Sequence, residues 1–444
     1  MPTQPKNPPR FRVALAGLGT VGGAVIRLLQ EESARLHRLM GAELDLTVIF
    51  DRSYKNKDVS WLQPATRLTD SIDEFLASPA DIVVELIGGE EPAGRILRES
   101  LQRQKAVVTA NKQLMAASGG AYLELAEKSR AYLGFEASVA GGIPILRTLR
   151  RSLIADRILS VRGILNGTCN FILSEMAESG RGQAEILAQA QSLGFAEADP
   201  WLDVSGRDTA DKLVILAALA FGRWARPEKL TTRGILEIDP VDFLYAERLG
   251  TTIRMLGVAQ RSEKHLSLWV SPFLVDRRLT LSKISGVVNA VEVTGARLGS
   301  ALFSGQGAGG DPTAVSVVSD ILAAARWRQG ETVFTAPRVE DPEAFSTSAN
   351  AEGSDYAPRD SFPFYLRLFV EDRPGIIARL AHILASHNIN IDSVLQESWA
   401  ERARLPFVIS VDPTPLATIE KAVTEMRSLD FMQAPPVLLP ILRA

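Results

Sequence analysis

The stretch that decides the fold is GLGTVGG at residues 17–23, which lies between an apolar run at 11–16 and a second apolar run at 24–29. Glycines here allow a tight turn, close approach of the backbone to a ligand, and close packing of a helix on a strand. A strand–turn–helix unit of this kind places phosphates at the N-terminus of its helix. A bare structural turn would also use glycines, but the flanking pattern favours a dinucleotide site formed by Gly17, Gly19, Thr20, Val21 and Gly22.

Outward from this stretch, strand-like runs at 44–50, 82–86, 106–108 and 132–135 alternate with helical patterns. This alternation predicts a Rossmann-type, doubly wound parallel sheet over residues 1–140. Asp51 and Arg52 follow the second strand. Asp51 could bind a ribose hydroxyl, and Arg52 could bind a 2′-phosphate or be a solvated loop cation. NAD(H) and NADP(H) therefore both stay open.

The remaining chain divides into two further regions joined by a linker. An α+β domain is predicted over 141–338, with helices at 213–221 and 242–259 and strands at 265–275 and 287–293; its end could return to the first domain. Residues 339–361 are polar and lack periodicity, which predicts a linker. Residues 362–444 show the order βαββαβ, with helices at 376–386 and 415–426, which is typical of a ferredoxin-like module. The linker suggests that this module folds independently.

Composition excludes several classes of protein. The 444 residues suggest roughly three domains. The net charge of −3 gives no electrostatic reason to expect a nucleic-acid partner. One cysteine, Cys169, rules out a disulfide framework. Residues 1–10 do not form a signal peptide, and the strongest apolar stretch, 213–221, is too short to span a bilayer. We expect a soluble cytoplasmic protein with no membrane partner.

The segment GFAEADPWLDVSGRDTADK at 194–212 is dense in carboxylates and ends in Lys212. Asp208 and Lys212 are four residues apart at a predicted helix start, so they share a face. They could form a surface ion pair, or Asp208 could cap the helix. The spacing does not fit a calcium loop, and no histidine is near enough to suggest zinc. The pattern also suits a zwitterionic substrate, with carboxylates binding an ammonium and Lys212 protonating a developing alkoxide.

A second lysine, Lys112, follows the predicted strand at 106–108, at the sheet edge where open α/β sheets bind ligands. Two ammonium groups facing one site would lower each other's pKa. Glycines at 141–142, 167, 307 and 309–310 allow close backbone approach to a ligand, or are simply turns.

Together these segments resemble the homoserine dehydrogenase family, through GLGTVGG, ELIGG (85–89), TANK (109–112), EASVAGGIPI (136–145), GILNGTCNFIL (163–173), the segment 194–212 and GQGAGGDPTA (305–314). The resemblance implies NAD(P)H-dependent interconversion of L-aspartate 4-semialdehyde and L-homoserine, within threonine, methionine and isoleucine biosynthesis. It implies that the middle domain also dimerises, giving a homodimer or homotetramer. One departure is Phe50, where many bacterial members have an arginine before the aspartate; strict NADP preference is therefore in doubt.

The resemblance also assigns roles to single residues. Lys212 would donate the proton, Glu197 and Asp208 would bind substrate, and Lys112 would lie beside nicotinamide and substrate. Gly194 and Gly309 would contact the cofactor. A monovalent cation, usually sodium, would be held by Glu136, Val139, Gly141 and Ile143.

The C-terminal region resembles an ACT regulatory domain, through DRPG at 372–375 and NINI at 388–391. This implies an amino-acid pocket at Asp372, Gly375, Ile376, Asn388 and Asn390, with threonine as the expected effector. The simpler interpretation is a turn capped by Asp372 with asparagines in loops. Two rival functions are a phosphorylating semialdehyde dehydrogenase with Cys169 as nucleophile, and a ligand sensor that has kept a nucleotide domain.

Overall fold

Two β-sheets organise the chain in a computed structural model, which describes residues 8–262, 265–331, 356–396 and 405–444. The first sheet has six parallel strands in the order β3-β2-β1-β4-β5-β6. The strands are β1 (Arg10–Ala16), β2 (Glu43–Phe50), β3 (Arg67–Thr69), β4 (Ile82–Glu85), β5 (Ala106–Thr109) and β6 (Leu133–Gly134). The associated helices are α1 (Thr20–Glu31), α2 (Ser33–Met40), α3 (Ile72–Ala77), α4 (Ala93–Gln102) and α5 (Lys112–Lys128). The predicted doubly wound sheet is confirmed, and its strand order reverses between β1 and β4, where such sheets bind ligands.

A helix from much later in the sequence completes this domain. Helix α12 (Gly310–Arg328) packs against α1, and its Val317 and Ile321 lie in one buried core with Val25 of α1 and Val84 of β4. The chain therefore returns to the first sheet after building the second.

The second sheet begins with β7 (Ile158–Ile164) and contains β8 (Thr231–Thr232), β9 (Thr251–Arg261), β10 (Leu266–Asp276), β11 (Val288–Gly295) and β12 (Gly299–Gln306). Its long strands pair antiparallel in the order β12-β11-β7-β9-β10. The helices of this region are α6 (Ile145–Arg147), α7 (Gly167–Ser179), α8 (Gln183–Ser192), α9 (Trp201–Val204), α10 (Arg207–Phe221) and α11 (Pro240–Arg248).

The helix predicted at 242–259 is wrong beyond Arg248. Helix α11 ends at Arg248, and Gly250, with φ of +67°, turns the chain into β9. Most of β9 is buried on both faces, so its apolar residues form a nearly continuous run. Such a run lacks the alternation that identifies a strand.

The C-terminal module has the predicted βαββαβ order: β13 (Ser361–Val370), α13 (Ile376–Ser386), β14 (Ile391–Gln396), β15 (Leu405–Pro415), α14 (Leu416–Met426) and β16 (Val437–Leu442). Residues 339–355 of the expected linker lie outside the described residues. The module is not separate, however. Strand β16 pairs parallel with β10, so one sheet continues from the second domain into the module. Side chains of both regions share one apolar core, which argues against the independent folding suggested by the linker.

A buried ionic cluster also joins the module to α11. Asp242 of α11 is fully buried and accepts hydrogen bonds from Tyr365 Oη at 2.7 Å and from an Arg367 guanidinium nitrogen at 2.6 Å. Arg367 also donates to the Glu237 carbonyl at 2.9 Å. Burial raises the pKa of Asp242 to about 6, although Arg367 opposes that rise. We call Asp242, Tyr365 and Arg367 the junction cluster.

Candidate active site

The loop between β1 and α1 has the geometry of a phosphate-binding turn. Gly17 has φ of +106°, and a Cβ atom there would lie 2.6 Å from the Leu86 carbonyl oxygen. A Cβ on Gly22 would lie 1.9 Å from the Gly17 oxygen, whereas one on Gly23 would meet only a flexible arginine side chain. Gly22, and not Gly23, is therefore the glycine that allows helix and strand to pack closely. Gly19 faces open space, since a Cβ there would have no neighbour within 4 Å.

The N-terminus of α12 meets the same opening. Gly309 has φ of +119° and precedes α12, and a Cβ on Gly310 would lie 3.3 Å from Thr20 Cγ2. Thr20 and Val21 form the first turn of α1. Two helix N-termini therefore present amides and positive dipole ends to one place, which suits a diphosphate.

Asp51 and Arg52 lie at the end of β2, but only Asp51 is anchored. Its carboxylate accepts from Leu18 N at 2.9 Å and from Lys57 Nζ at 2.7 Å. Burial opposes ionisation of Asp51, but Lys57 and neighbouring donors outweigh it and lower its pKa to about 2. Arg52 is exposed. Lys57 also donates to the Leu18 carbonyl at 2.8 Å. Its pairing with Asp51 was not predicted, because Lys57 lies too far beyond the end of the strand for a spacing rule to identify it.

The two predicted lysines and one aspartate meet where the first two domains face each other. Lys212 Nζ donates to Asp208 Oδ2 at 2.7 Å and to the Leu165 carbonyl at 2.7 Å. Lys112 Nζ, at the start of α5, forms an ion pair with Asp208 Oδ1 at 2.6 Å. Gly206, not Asp208, caps α10. Asp208 therefore bridges two lysines from different domains, and it is neither a helix cap nor part of a surface ion pair.

This bridge reverses the expected effect on Lys112. Burial disfavours its charged form, but Asp208 outweighs burial and raises the pKa of Lys112. For Asp208 itself, burial opposes ionisation, yet the two lysines hold its pKa well below the usual range. The expected mutual lowering between the lysines is wrong for Lys112, because a carboxylate lies between the ammonium groups. Each ammonium has three donors, so both retain hydrogen-bonding capacity for a substrate.

Asn166 orients this carboxylate, whereas the sequence predicted only a close backbone approach or a turn at the neighbouring Gly167. Its side-chain nitrogen donates to Asp208 Oδ2 at 2.8 Å and to Asp203 Oδ1 at 2.7 Å. Its oxygen accepts from Cys169 N and so caps α7. Cys169 is fully buried, and burial raises the pKa of its thiol well above the usual range. A thiol in that state is not a poised nucleophile.

Glu197 and Gly194 lie on the exposed loop between α8 and α9. Gly194 has φ of +74°. Among the described residues, no ion pair within 4 Å joins Glu197 to Lys112 or Lys212. The structure therefore brings together Lys112, Asp208 and Lys212, but it does not bring Glu197 to them.

The residues expected to bind a cation form a buried oxygen-rich turn after β6. The Glu136 oxygens accept from Leu146 N at 2.9 Å and Arg147 N at 2.7 Å, and burial, with Asp320 nearby, raises its pKa to about 7. The Gly141 carbonyl accepts from Ser316 Oγ at 2.6 Å. Val139 and Ile143 are buried beside them. A carboxylate with backbone carbonyls is a donor set suited to a hard monovalent cation, so the residues fit.

A cavity of about 520 Å³ opens on the C-terminal module. Asp372, Gly375 and Ile376 line it, together with Gln396 and Phe407. Of the five residues expected to bind an effector, Asn388 and Asn390 do not line this cavity: Asn388 adopts φ of +57° in a turn, and Asn390 donates to Asp412 Oδ2 at 2.6 Å. These two asparagines fit the simpler loop interpretation.

Among the described residues, no helix is long and apolar enough to cross a membrane, and no three His, Cys, Asp or Glu side chains form a metal cluster.

Comparison with known proteins gives a consistent result along the chain. Family models match at residues 17–136 (homoserine dehydrogenase, NAD binding domain), 144–322 (homoserine dehydrogenase) and 364–428 (ACT domain). A homoserine dehydrogenase of Neisseria gonorrhoeae is 37% identical over 425 residues, covering 95% of this chain and 96% of that protein. The crystal structure of one from Thiobacillus denitrificans superposes with a TM-score of 0.87 at 36% identity, covering 98% of both chains. A hyperthermophilic archaeal homoserine dehydrogenase in complex with NADPH matches with a TM-score of 0.63 at 26% identity, covering 73% of this chain and 99% of that one.

Proposed function

Because this chain belongs to the homoserine dehydrogenase family and is an oxidoreductase with a nicotinamide-binding domain, we propose that it interconverts L-aspartate 4-semialdehyde and L-homoserine. The observation that carries the proposal is Asp208, which holds Lys112 of one domain and Lys212 of the next at one cleft. Two ammonium groups at one site can stabilise an oxygen that gains negative charge.

Each residue of the cleft has a distinct task in this proposal. The nicotinamide, when bound, supplies or accepts the hydride. Lys212 gives a proton to the substrate oxygen during reduction and removes it during oxidation. Asp208 pairs with Lys212 and orients its ammonium group, and Lys112 adds positive charge and orients the substrate. Glu197 binds the substrate ammonium, which requires its exposed loop to move toward the lysines.

For the cofactor, we propose use of NADP(H), with NAD(H) also accepted. In this proposal the diphosphate is bound by Gly17, Gly19, Thr20, Val21, Gly22 and Gly309, and Gly194 contacts the cofactor from the exposed loop between α8 and α9. Arg52 is exposed and available for a 2′-phosphate, while Asp51 is held by Lys57. We also propose that Glu136, Val139, Gly141 and Ile143 bind a monovalent cation, Na⁺ by preference.

For regulation, we propose that the 520 Å³ cavity binds threonine, with Asp372, Gly375 and Ile376 in contact with it. The N-terminus of α13 suits its carboxylate. Such feedback fits a role in threonine, methionine and isoleucine biosynthesis. We further propose a homodimer or homotetramer, and a cytoplasmic location consistent with a single buried cysteine.

One assay tests the central proposal. Purified protein is given L-homoserine with NAD⁺ or NADP⁺ in buffer without phosphate, and absorbance at 340 nm is followed. Homoserine-dependent reduction supports the proposal. Reduction that instead requires L-aspartate 4-semialdehyde together with phosphate or arsenate would favour a phosphorylating semialdehyde dehydrogenase, and no reduction with either substrate would favour a sensor.

A further inference from the structure

A buried carboxylate, Glu85, lies at the end of β4, and the reaction described above gives it no role. It is fully buried, and its Oε2 accepts a hydrogen bond from Thr109 Oγ1 at 2.6 Å. Its Oε1 accepts from Ile87 N at 2.8 Å and Gly88 N at 3.1 Å. These hydrogen bonds offset the free-energy cost of burying the carboxylate, and they link the end of β4 to the end of β5.

The same network continues from Thr109 into the start of α5. Thr109 Oγ1 accepts from Asn111 N at 3.0 Å, so one hydroxyl joins Glu85 to Asn111. Asn111 Oδ1 caps α5 by accepting from Leu114 N at 3.0 Å, and its Nδ2 donates to the Gly89 carbonyl at 2.6 Å. Thr109 and Asn111 are both buried. The backbone immediately before Lys112 is therefore fixed on several sides.

The next residue along the chain is Lys112, whose ammonium reaches Asp208 of the second domain. The Lys112 side chain is 39% exposed, so surrounding side chains enclose it only partly. The position of its ammonium therefore depends on the backbone at its base, which the Glu85 network fixes.

We propose that Glu85 is a positioning residue for the reaction, acting through Thr109 and Asn111 to hold Lys112 toward Asp208. This inference rests on the proposed dehydrogenase function. A network that served folding alone would contribute to stability, but its removal would affect turnover equally with and without Lys112.

The test compares isosteric changes with a conservative rescue. Thr109→Val removes the hydroxyl that joins the network, Thr109→Ser keeps it, and Glu85→Gln removes the charge. We expect Thr109→Val and Glu85→Gln to lower kcat about 10- to 100-fold, as expected when a reacting group is misplaced by about 1 Å. KM for homoserine should change less than kcat, and Thr109→Ser should retain most of the rate.

A double-variant cycle decides between positioning and a structural role. In a Lys112→Ala background, Thr109→Val should lower kcat less than about twofold, because the residue it positions is gone. Equal losses in both backgrounds, or equal losses in the Val and Ser variants, would overturn the inference. If Glu85→Gln does not fold, the Thr109 pair still decides. Absence of homoserine oxidation by the wild-type protein would instead refute the proposed function.

Discussion

Replacing Arg367 by methionine tests whether the C-terminal module is structurally part of the enzyme. Methionine retains much of the apolar part of the arginine side chain but lacks the positive charge that balances the Asp242 carboxylate. The carboxylate is fully buried, and the Arg367 side chain is 6% exposed, so solvent cannot replace the lost partner. Removal of one partner from a buried pair costs about 3–5 kcal/mol. We expect a loss of that size in the free energy of unfolding.

Arg379→Met is the matched control in the same module. Arg379 also pairs with an aspartate at 2.7 Å and also lies over a phenylalanine ring, but its side chain is 52% exposed. Exposed pairs contribute about 0–1 kcal/mol. Urea unfolding at pH 8, followed by tryptophan fluorescence, should therefore show a large loss for Arg367→Met and a small one for Arg379→Met.

The pH dependence provides a second check. The folded-state pKa of Asp242 is raised to about 6, so its contribution to stability is greatest at low pH and is lost as pH rises through about 6. Without Arg367 that pKa rises further, so acidification should help the variant more than the wild type. The loss should shrink from pH 8 to pH 5, and adding Asp242→Asn should recover part of it. A loss below 1 kcal/mol, equal to the control and independent of pH, would refute this account of the junction cluster.

Four further predictions follow from the sites. Lys212→Ala should lower kcat at least ~10²-fold while fluorescence titration shows intact NADPH binding; near wild-type turnover would remove Lys212 from the mechanism. Arg52→Ala should raise KM for NADPH much more than KM for NADH, since a charged hydrogen bond contributes ~1.5–3 kcal/mol, and equal changes would exclude a phosphate contact. Raising the pH through about 7 ionises the buried Glu136 carboxyl and lowers the stability of the folded protein. Na⁺ should therefore raise Tm more at pH 8 than at pH 6, with choline chloride as the control for ionic strength. The same Na⁺-dependent rise in Tm in Glu136→Gln would argue against the site. Asp372→Ala should abolish inhibition by millimolar threonine without lowering kcat in its absence, whereas unchanged inhibition would place the effector elsewhere.

Sequence reasoning predicted the parts of this molecule that depend on local pattern. The glycine turn, the doubly wound parallel sheet and the shared face of Asp208 and Lys212 all follow from short spacings, whereas the short strand β3 and the strand order were not predicted. The pairing of Lys112 with Asp208 does not, because packing between domains brings together residues distant in sequence. That pairing is also why the expected direction of the Lys112 pKa was wrong.

The limits of local sequence patterns also explain two errors in the predicted fold. Strand β9 is buried on both faces, so its apolar run gave no alternation to separate it from the preceding helix. The continuous sheet between β10 and β16 depends on pairing between distant segments, which a polar linker in the sequence cannot reveal. Truncation after Pro337 is therefore expected to expose core side chains and to destabilise the enzyme, in contrast to the independent module expected from the sequence.

The return of α12 to the first sheet has a consequence for synthesis on the ribosome. The nucleotide-binding core lacks one of its helices until Gly310–Arg328 has been synthesised, about 190 residues after the last strand of its sheet. At translation rates of about 5–20 residues per second, the domain stays incomplete for roughly 10–40 s, and the face that α12 covers is exposed during this time. The N-terminal domain therefore cannot complete its core until the sheet of the second domain has been synthesised.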